Sequence, residues 1–514
     1  MLVKLYSATV NGLEVTTITV EVSVVPGQGF FLSGLGDEAV RESQSRIRSA
    51  FHWANYKFPN LSVTINLAPA DIRKEGTSFD LPIAVGILAG NEELVTDRLA
   101  DYMLVGELGL DGTLQPVKGV LPIAMQAKKD GFRGIIIPKA NEREAAVVSG
   151  IDVYGFENIT EVIAFLMGET DVLPLSIDVN DIFYQQQYQA QDLDFADVKG
   201  QENIKRAMEV AAAGGHNIIM VGTPGSGKSM MAKRLPGILP PLSLSESLET
   251  TQIHSVAGKL GTGTTLITQR PFRSPHHTTS QVALVGGGSN PSPGEISLAH
   301  NGVMFCDELP EWSKRTLEVL RQPLEDRRIS ISRAKYSVDY PASFMFVAAM
   351  NPCPCGYHGD PTHNCTCTPG MIQRYMNKIS GPLLDRIDLQ VEVANIKYSE
   401  LSSAEPGEPS SEIRKRVLAA RQIQTARYEN VPGIHCNAQM TDKMLREYCV
   451  LDEKTNTMLQ MAMIRLNLSA RAYSRILKVA RTIADLEGKE NIEMHHVAEA
   501  VGYRSLDRGD WAER

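Results

Sequence analysis

Short runs rich in apolar and β-branched residues, typical of β-strands, mark the first third of the chain. These runs lie at 18–25, 61–67 and 135–137. Two stretches of helical character, 38–53 and 81–89, lie between them. The pattern therefore predicts a small α/β domain over residues 1–170.

The middle of the chain has continuous apolar runs of four to eight residues, separated by helical stretches. The runs lie at 218–221, 302–306 and 343–350. Short apolar runs of this kind are typical of buried strands, and strands that alternate with helices form mostly parallel, doubly wound sheets. We therefore predict a second α/β domain over residues 193–400.

Two breaks in the pattern separate these regions from their neighbours. A glutamine-rich polar stretch at 185–191 predicts a linker over residues 171–192, and a stretch rich in Ser, Pro, Gly and Glu follows at 402–411. Beyond it, a helical period that is clear at 470–486 predicts an α-helical domain over residues 401–514.

The composition argues against some classes of protein. A net charge of −9 argues against a protein covered in positive charge for nucleic acid, although a locally basic channel stays open. No apolar stretch reaches the length of a membrane span, and the first seven residues lack the basic start and long apolar core of a signal peptide. We therefore expect a cytoplasmic protein that has no membrane partner.

One motif carries the most information about chemistry. Residues 222–229 match the pattern G-x-x-x-x-G-K-[ST] at every fixed position and directly follow an apolar run. Backbone N–H groups of such a loop surround phosphate oxygens, the lysine reaches the β- and γ-phosphates, and the hydroxyl binds Mg²⁺. We expect ATP and Mg²⁺ as cofactors and Lys228 as a catalytic residue. The predicted ATP-binding residues are Gly222, Thr223, Pro224, Gly225, Ser226, Gly227, Lys228 and Ser229.

Three polar residues follow the later apolar runs. Asp307 and Glu308 come directly after the run 302–306, and Asn351 comes directly after the run 343–350. Asp307 suits a Mg²⁺ ligand, and Glu308 suits the general base that takes a proton from the attacking water. Asn351 suits a group that orients this water, with a simple strand cap as the alternative.

Four of the seven cysteines form two Cys-x-Cys pairs separated by nine residues: Cys353, Cys355, Cys365 and Cys367. The surrounding stretch has almost no apolar residues that would bury thiols in a core. Four thiolates suit a structural Zn²⁺ site, although C-x₂₋₄-C is the usual spacing, and a redox pair or unliganded thiols stay open. The clustering fits a reducing compartment better than a disulfide framework.

These motifs resemble those of AAA+ ATPases, and within them the magnesium-chelatase-like branch. Residues 194–201 look like the first motif of that superfamily, and residues 381–388 look like its arginine-finger motif. The resemblance implies that Arg386 reaches the γ-phosphate bound by a neighbouring subunit, so a monomer is expected to be a poor ATPase. The start of the helix at 470–486 resembles the sensor-2 position, which favours Arg471 as a phosphate contact, with Arg475 as the alternate.

The region around the second ATPase motif also resembles this branch. Glycine clusters at 286–288 and 291–294 resemble its helix-2 insertion. Residues 325–339 predict two short strands, like the presensor hairpin of ring helicases. Arg333 and Lys335 near the hairpin tip are candidates for contact with a DNA backbone.

The N-terminal region resembles the proteolytic domain of Lon. The matching segments are 74–81, 105–112 and 135–138. Ser78 falls on the nucleophile position, but the position of the activating lysine falls on Leu121. A serine without a base is a weak nucleophile, so we expect no proteolysis, and Lys118 stays open as a substitute base.

The whole domain order resembles the ComM/YifB family. The resemblance implies an α/β fold: an AAA+ parallel-sheet module with a helical lid, preceded by a Lon-like domain. It also implies a homo-oligomeric ring, expected to be a hexamer, that moves along branched or single-stranded DNA as a branch-migration helicase in recombination or natural transformation. Two alternatives stay open: a magnesium-chelatase motor subunit that remodels a protein partner, and an ATP-dependent protease.

Overall fold

The computed structural model describes residues 1–187, 193–261, 263–288, 291–333, 336–394, 407–431, 433–504 and 506. Contacts between these residues divide the chain into two units. The first unit holds residues 1–187 together with Ser243–Thr268, and the second holds most of the chain from residue 193 onward. In the described ranges, no helix has both the length and the apolarity needed to cross a membrane.

The strands are numbered in chain order. They are β1 (Leu2–Asn11), β2 (Glu14–Val25), β3 (Gly29–Ser33), β4 (Ser62–Ala68), β5 (Tyr102–Leu104), β6 (Glu107–Leu108), β7 (Leu114–Gln115), β8 (Gly134–Pro138), β9 (Asp152–Phe156), β10 (Ile218–Gly222), β11 (Phe272–Arg273), β12 (Gly286–Gly287), β13 (Ser292–Pro293), β14 (Val303–Cys306), β15 (Arg328–Arg333), β16 (Tyr336–Pro341), β17 (Met345–Met350) and β18 (Leu389–Val393).

The helices are given by their residue ranges. They are Glu38–Arg41, Ser43–Trp53, Asp80–Gly90, Val120–Lys129, Glu142–Ala145, Ile159–Met167, Val179–Gln187, Glu202–Gly214, Lys228–Arg234, Leu244–Val256, Gln281–Val285, Glu295–Leu298, Lys314–Val319, Arg321–Asp326, Pro369–Met376, Gly381–Leu384, Ser410–Tyr428, Asp442–Tyr448, Glu453–Arg465, Ala470–Leu486 and Met494–Gly502.

A seven-stranded mixed sheet forms the first unit, with the strand order β3-β4-β2-β1-β5-β8-β9. β2 pairs antiparallel with β1 and β4, whereas β5, β8 and β9 run parallel to one another. The helix Asp80–Gly90 packs on this sheet and is buried at every position. Its complete burial explains why its sequence is apolar on every face after the first residue, Asp80. The predicted α/β character of this region is confirmed.

One helix of the first unit comes from a distant part of the sequence. Leu244–Val256 follows the phosphate loop in the chain, yet it groups with the first unit. Leu248 of this helix packs against the cluster that contains Leu121, and the Ser255 hydroxyl donates a hydrogen bond to Glu144. A segment that lies between the two ATPase motifs in sequence therefore helps to build the Lon-like unit.

The second unit contains a five-stranded sheet with the order β11-β14-β17-β10-β18. Every neighbouring pair in this sheet is parallel, which confirms the predicted parallel sheet. Because the strands are parallel, the carboxyl ends of β10, β14 and β17 lie at one edge. The residues that follow these three strands are therefore brought together.

The C-terminal helices share one hydrophobic core with this sheet. Val417 and Ile476 belong to the same buried cluster as Val347 of β17. Arg206, on the helix before β10, makes a salt bridge of 3.0 Å with Glu499 near the C-terminus. The C-terminal region is helical as predicted, and it is packed against the sheet within a single unit.

The predicted linker is partly helical. Residues 171–192 include the helix Val179–Gln187, and residues 188–192 lie outside the described residues. Residues 395–406, which include the first part of the predicted break at 402–411, also lie outside the described residues. The last two residues of that break begin the helix Ser410–Tyr428.

Candidate active site

The phosphate loop leaves the sheet at Gly222, the last residue of β10, and leads into the helix Lys228–Arg234. Gly225 and Gly227 have φ angles of +79° and +87°, in the left-handed region that side chains rarely adopt. A Cβ added to Gly222 would lie 2.6 Å from the carbonyl oxygen of Val393. The glycines therefore permit a tight turn that other residues would strain.

Lys228 is buried at the centre of this loop. Its Nζ donates hydrogen bonds to the carbonyl oxygens of Gly222 at 2.7 Å and Thr223 at 2.8 Å, and it lies 3.3 Å from Oδ1 of Asn351. Burial lowers the pKa of Lys228, while the negative charge of Asp307 acts in the opposite direction. The ammonium group therefore joins the loop to Asn351, as expected from the ends of β10 and β17.

Ser229 and Asp307 meet at the same edge. The Ser229 hydroxyl donates a hydrogen bond of 2.6 Å to Oδ2 of Asp307, and the backbone N–H of Glu308 donates one of 2.9 Å to Oδ1. The indole N–H of Trp312 donates to the backbone oxygen of Asp307 at 3.0 Å and so holds the turn. Hydroxyl and carboxylate oxygens are ligands that Mg²⁺ prefers, so Ser229 and Asp307 fit an ion bound together with a nucleotide phosphate.

Glu308 has a different environment from Asp307. Its side chain is 56% exposed, and its backbone φ of +48° lies in the left-handed region, which is uncommon for a residue other than glycine. Its Oε2 lies 3.3 Å from Nδ1 of His277. His277 follows β11, the strand next to β14, so it reaches the same edge of the sheet. An exposed carboxylate beside a phosphate loop is suited to meet a water molecule.

Arg386 lies at the opposite edge of the sheet. Its carbonyl oxygen accepts a hydrogen bond of 2.9 Å from Nδ2 of Asn217, the residue that precedes β10. β10 has five residues and spans roughly 16 Å, so it separates this position from Lys228. The guanidinium donates to the carbonyl oxygen of Pro382 at 2.7 Å and pairs with Glu325. Arg386 is therefore not brought to the phosphate loop of its own chain.

Arg471 and Arg475 lie one turn apart on the helix Ala470–Leu486, and their surroundings differ. Arg471 has a side chain that is 66% exposed and pairs with Asp385 at 2.9 Å. Arg475 is 24% exposed and pairs at 3.0 Å with Asp388, which is buried. Arg475 therefore belongs to the interior, whereas Arg471 faces solvent next to the segment that carries Arg386.

A buried polar cluster fixes this edge of the sheet. The imidazole of His216 lies 2.8 Å from the Thr482 hydroxyl and 3.4 Å from Oδ2 of Asp388. Burial acts to raise the pKa of Asp388, but Arg475 and His216 outweigh it and hold this pKa well below its usual range. Burial lowers the pKa of His216. The cluster joins the starts of β10 and β18 to the helix Ala470–Leu486, which carries Thr482.

Comparisons with known proteins follow the same outline. The family described as magnesium chelatase, subunit ChlI, matches residues 194–401, and the family of its C-terminal part matches residues 407–504. A further family, described as subunit ChlI of Mg-chelatase, matches residues 20–141. Competence protein ComM of Haemophilus influenzae is 45% identical over 506 residues, which cover 98% of this chain and 97% of that protein. The chain belongs to the ComM/YifB family.

Two other relatives support this result. The uncharacterized protein YifB of Escherichia coli is 44% identical over 500 residues, covering 97% of this chain and 96% of that protein. Lon protease 2 of Bacillus subtilis is 26% identical over 196 residues, covering 33% of this chain and 35% of that protein, in keeping with the Lon-like N-terminal region. The predicted family is confirmed. Its AAA+ module implies ATP and Mg²⁺ as the ligands of the site at the carboxyl edge.

The four cysteines that the sequence suggests as zinc ligands lie together just after Asn351 in this ComM/YifB-family chain. Their sulfur atoms lie within 4.8 Å of one another, and all four are free. The group, which we call the cysteine cluster, consists of Cys353, Cys355, Cys365 and Cys367. Its arrangement is compatible with a bound metal ion.

The predicted hairpin is confirmed as the antiparallel pair β15 and β16, in which Arg333 is opposite Tyr336. Arg333 ends β15, but its side chain lies outside the described part of the structure, as does the whole of Lys335. The DNA contacts expected of these two residues stay a prediction.

The Lon-like unit of this ComM/YifB-family chain keeps a cavity at the predicted nucleophile. Ser78 and Lys118 both line this cavity, which has a volume of about 380 Å³. Leu121, on which the position of the activating lysine falls, is fully buried in a hydrophobic cluster and does not line this cavity. Asp80, two residues after Ser78, is buried and bonded to Arg46 at 2.6 Å and 2.9 Å. The structure therefore places a basic residue, Lys118, on the cavity that Ser78 lines.

The structure adds an acidic or basic partner to each of three predicted residues. These partners are His277 for Glu308, Glu325 for Arg386 and Asp388 for Arg475. The sequence gives little signal for His277, because the strand before it, β11, has only two residues and one of them is Arg273. For Glu325 the signal was absent, since its pairing with Arg386 joins segments 61 positions apart.

Proposed function

We propose that this protein is an ATP hydrolase that works as a homo-oligomeric ring, expected to be a hexamer, and moves along DNA. Its task would be branch migration of branched or single-stranded DNA in recombination or natural transformation. The observation that carries the ring is the separation of Lys228 from Arg386 by the length of β10. An arginine at the far edge is placed to serve a phosphate held by a neighbouring copy.

Each residue at the carboxyl edge has a separable role in this proposal. Lys228 offsets negative charge on the β- and γ-phosphates, and Ser229 and Asp307 hold Mg²⁺, which supplies charge stabilisation on the phosphate oxygens when bound. Glu308 takes a proton from the water whose oxygen forms the new bond to the γ-phosphorus. The bond to the bridging oxygen breaks, and ADP leaves. Asn351, beside Lys228, orients the water.

The neighbouring copy would supply the other half of the site. Arg386 and Arg471 belong to the opposite edge, where each is paired with a carboxylate, Glu325 and Asp385 respectively. In the assembled ring, both arginines would exchange these carboxylates for phosphate oxygens of the adjacent subunit. Charge developed in the transition state is then stabilised only when two chains meet.

The DNA role has two supports. ComM of Haemophilus influenzae is named a competence protein, and this chain matches it over nearly its whole length. The hairpin β15–β16 is joined by residues 342–344 to β17, the strand that ends at Asn351. A change at Asn351 on hydrolysis would therefore reach the hairpin through one short strand.

The test measures ATPase rate and molecular mass of the full chain with Mg²⁺-ATP. The DNA samples are none, linear duplex, single strand and a four-way junction. We expect the single strand or the junction to stimulate hydrolysis more than the duplex does. We also expect Glu308→Gln to hold ATP and form a stable ring, because binding residues remain while the base is lost.

Glu311→Gln is the matched control, since Glu311 is a nearby carboxylate that is paired with Lys378 at 3.3 Å. The control should hydrolyse ATP like the natural chain. If the ATP-loaded Glu308→Gln variant neither forms a ring nor binds any of these DNAs, the translocase proposal is wrong.

A magnesium-chelatase-type motor is the second candidate, because the matching families are described as its ChlI subunit. It would use the same ATPase site to remodel a protein partner. Copurification with a metal-chelating partner, together with an ATPase rate that DNA does not change, would favour it. A protease is the weaker alternative, and degradation of casein that Ser78→Ala abolishes would support it.

A further inference from the structure

The cysteine cluster has the geometry of a metal site. The sulfur of Cys353 lies 3.3 Å from that of Cys355 and 3.7 Å from that of Cys365, and the latter two are 3.6 Å apart. These separations are longer than the disulfide bond of about 2.05 Å. Four thiols are thus gathered without being bonded to one another.

We propose that the cysteine cluster binds one Zn²⁺ ion through four thiolates and that this ion braces the phosphate loop. Zn–S bonds are about 2.3 Å long, so a tetrahedral site places its sulfurs about 3.8 Å apart. The three separations of 3.3 Å, 3.6 Å and 3.7 Å come close to this value. Iron–sulfur clusters place several metal atoms and sulfides between their cysteines and need wider spacing.

The backbone around the sulfurs favours thiolates. Cys355 accepts hydrogen bonds from the backbone N–H groups of Tyr357 and Thr366. N–H groups that point at a sulfur stabilise its negative charge. A bound dication would stabilise all four thiolates further.

The two histidines between the cysteine pairs leave the ligand set to sulfur. His363 stacks on Tyr357 with ring centroids 4.8 Å apart, and it lies 2.9 Å from the Thr362 hydroxyl and 3.5 Å from a carboxylate oxygen of Asp360. Neither histidine belongs to the group of ligand atoms that the described residues bring together. Four sulfur ligands complete a closed site, which is typical of structural zinc.

The cluster adjoins the ATP site on two sides. Cys353 follows two residues after Asn351, which contacts Lys228. Gly356 has a φ of +89°, and a Cβ there would lie 2.7 Å from the ring of Pro224 in the phosphate loop. Because these contacts are tight, a loop fixed by zinc would hold both Pro224 and Asn351 in place.

The test uses the full chain, purified without a polyhistidine tag and passed over a chelating resin. Metal analysis is expected to find about one zinc per chain. Cys355→Ala and Cys367→Ala should lose it, whereas Cys449→Ala, which removes a buried thiol outside the cluster, should keep it. Nucleotide binding is a second measurement, in a Glu308→Gln background. The dissociation constant for ATP is expected to rise on the order of tenfold in the cluster variants and to stay unchanged in Cys449→Ala.

A spectroscopic measurement covers the case in which the variants fail to fold. The natural chain grown with cobalt should show the intense visible bands and the sulfur-to-metal charge transfer of a tetrahedral tetrathiolate site. The proposal would be overturned if the purified chain held no metal and its four cluster thiols could all be titrated. Iron in place of zinc, or a cobalt spectrum without thiolate bands, would also overturn it. Unchanged ATP binding in zinc-free but folded variants would overturn the bracing role. None of these measurements depends on DNA, so failure of the translocase proposal would be seen separately.

Discussion

The two edges of the parallel sheet differ in how their charged residues are paired. The strands end at the carboxyl edge and begin at the opposite edge, which we call the amino edge. At the carboxyl edge, Lys228 is held by backbone carbonyl oxygens, and the two carboxylates beside it make no ion pair with it. At the amino edge, Arg386 and Arg475 are each matched with a carboxylate. The first edge has charge arranged for a ligand, and the second has charge largely neutralised within the chain.

The difference teaches where the chain is incomplete. A phosphate at the carboxyl edge would find a lysine, a hydroxyl and a carboxylate already convergent. Arg386, the predicted arginine finger, lies about one strand length away, roughly 16 Å. In the proposed ring, each edge is half of a site, and the two halves that work together belong to different copies of the chain.

Exchange of subunits would test this comparison most severely. In the proposed ring, Arg386→Ala should lower the ATPase rate about 10³-fold to 10⁵-fold, because the proposed role of this arginine is to stabilise transition-state charge. Mixed with Glu308→Gln, which is also inactive, it should regain part of the activity, since some interfaces then join an intact Glu308 to an intact Arg386. Steady-state ATPase of mixtures at varied ratio measures this. Failure to regain activity in rings shown to be mixed would place Arg386 outside the neighbouring site.

The proposed general base, Glu308, gives the next largest effect. Glu308→Gln should lower kcat about 10²-fold to 10⁴-fold while leaving the KM for ATP within about threefold, because the amide cannot accept the proton. Single-turnover hydrolysis separates this loss from slow release of product. A large rise in KM with unchanged kcat would assign Glu308 to binding instead.

Much of the carboxyl edge could be predicted from the sequence. The phosphate-loop motif fixes a local conformation, and parallel strands bring the residues after β10, β14 and β17 to one edge. Both facts are local or follow from the topology. The contacts of Lys228 with Asn351 and of Ser229 with Asp307 are therefore expected.

The amino edge could not be predicted in the same way. The role of Arg475 depends on Asp388, 87 positions earlier, and on packing between the helix Ala470–Leu486 and the starts of two strands. Pattern and spacing do not show which arginine takes which partner, since Arg471 and Arg475 are one turn apart and chemically alike. The grouping of Ser243–Thr268 with the Lon-like unit is missed for the same reason.

Removal of the buried carboxylate at the amino edge should mainly affect stability. Asp388→Asn leaves Arg475 without its partner and should cost about 3–5 kcal/mol of unfolding free energy at pH 7. Because the folded-state pKa of Asp388 is depressed, its contribution is present above the unfolded pKa of about 3.9 and is lost as pH falls through the folded pKa. The gap between variant and natural chain should therefore narrow at low pH.

Urea unfolding at pH 7 and at about pH 3, below the unfolded pKa of Asp388, measures this effect. The lowered pKa of His216 also reduces the free energy of unfolding at low pH. A folded chain that keeps this imidazole neutral is destabilised as the pH falls below about 6.5. Asp385→Asn is the matched control, because Asp385 is partly exposed and its pair with Arg471 should contribute less than about 1 kcal/mol. An equal loss of unfolding free energy in Asp388→Asn and Asp385→Asn would contradict the distinction between a buried and an exposed ion pair at this edge.

The smallest effect separates Arg471 from Arg475, which lie one turn apart on the same helix. Arg471→Ala should change the free energy of unfolding by less than about 1 kcal/mol, because its ion pair is exposed. In the ring it should still lower the ATPase rate about tenfold to a hundredfold, the loss of one hydrogen bond to a charged phosphate. Arg475→Ala should show the reverse split, with a clear loss of stability and a rate per folded chain that is close to normal. If Arg471→Ala leaves the rate unchanged and Arg475→Ala lowers it in folded rings, the phosphate contact belongs to Arg475, and the buried pair with Asp388 must open when the ring binds ATP.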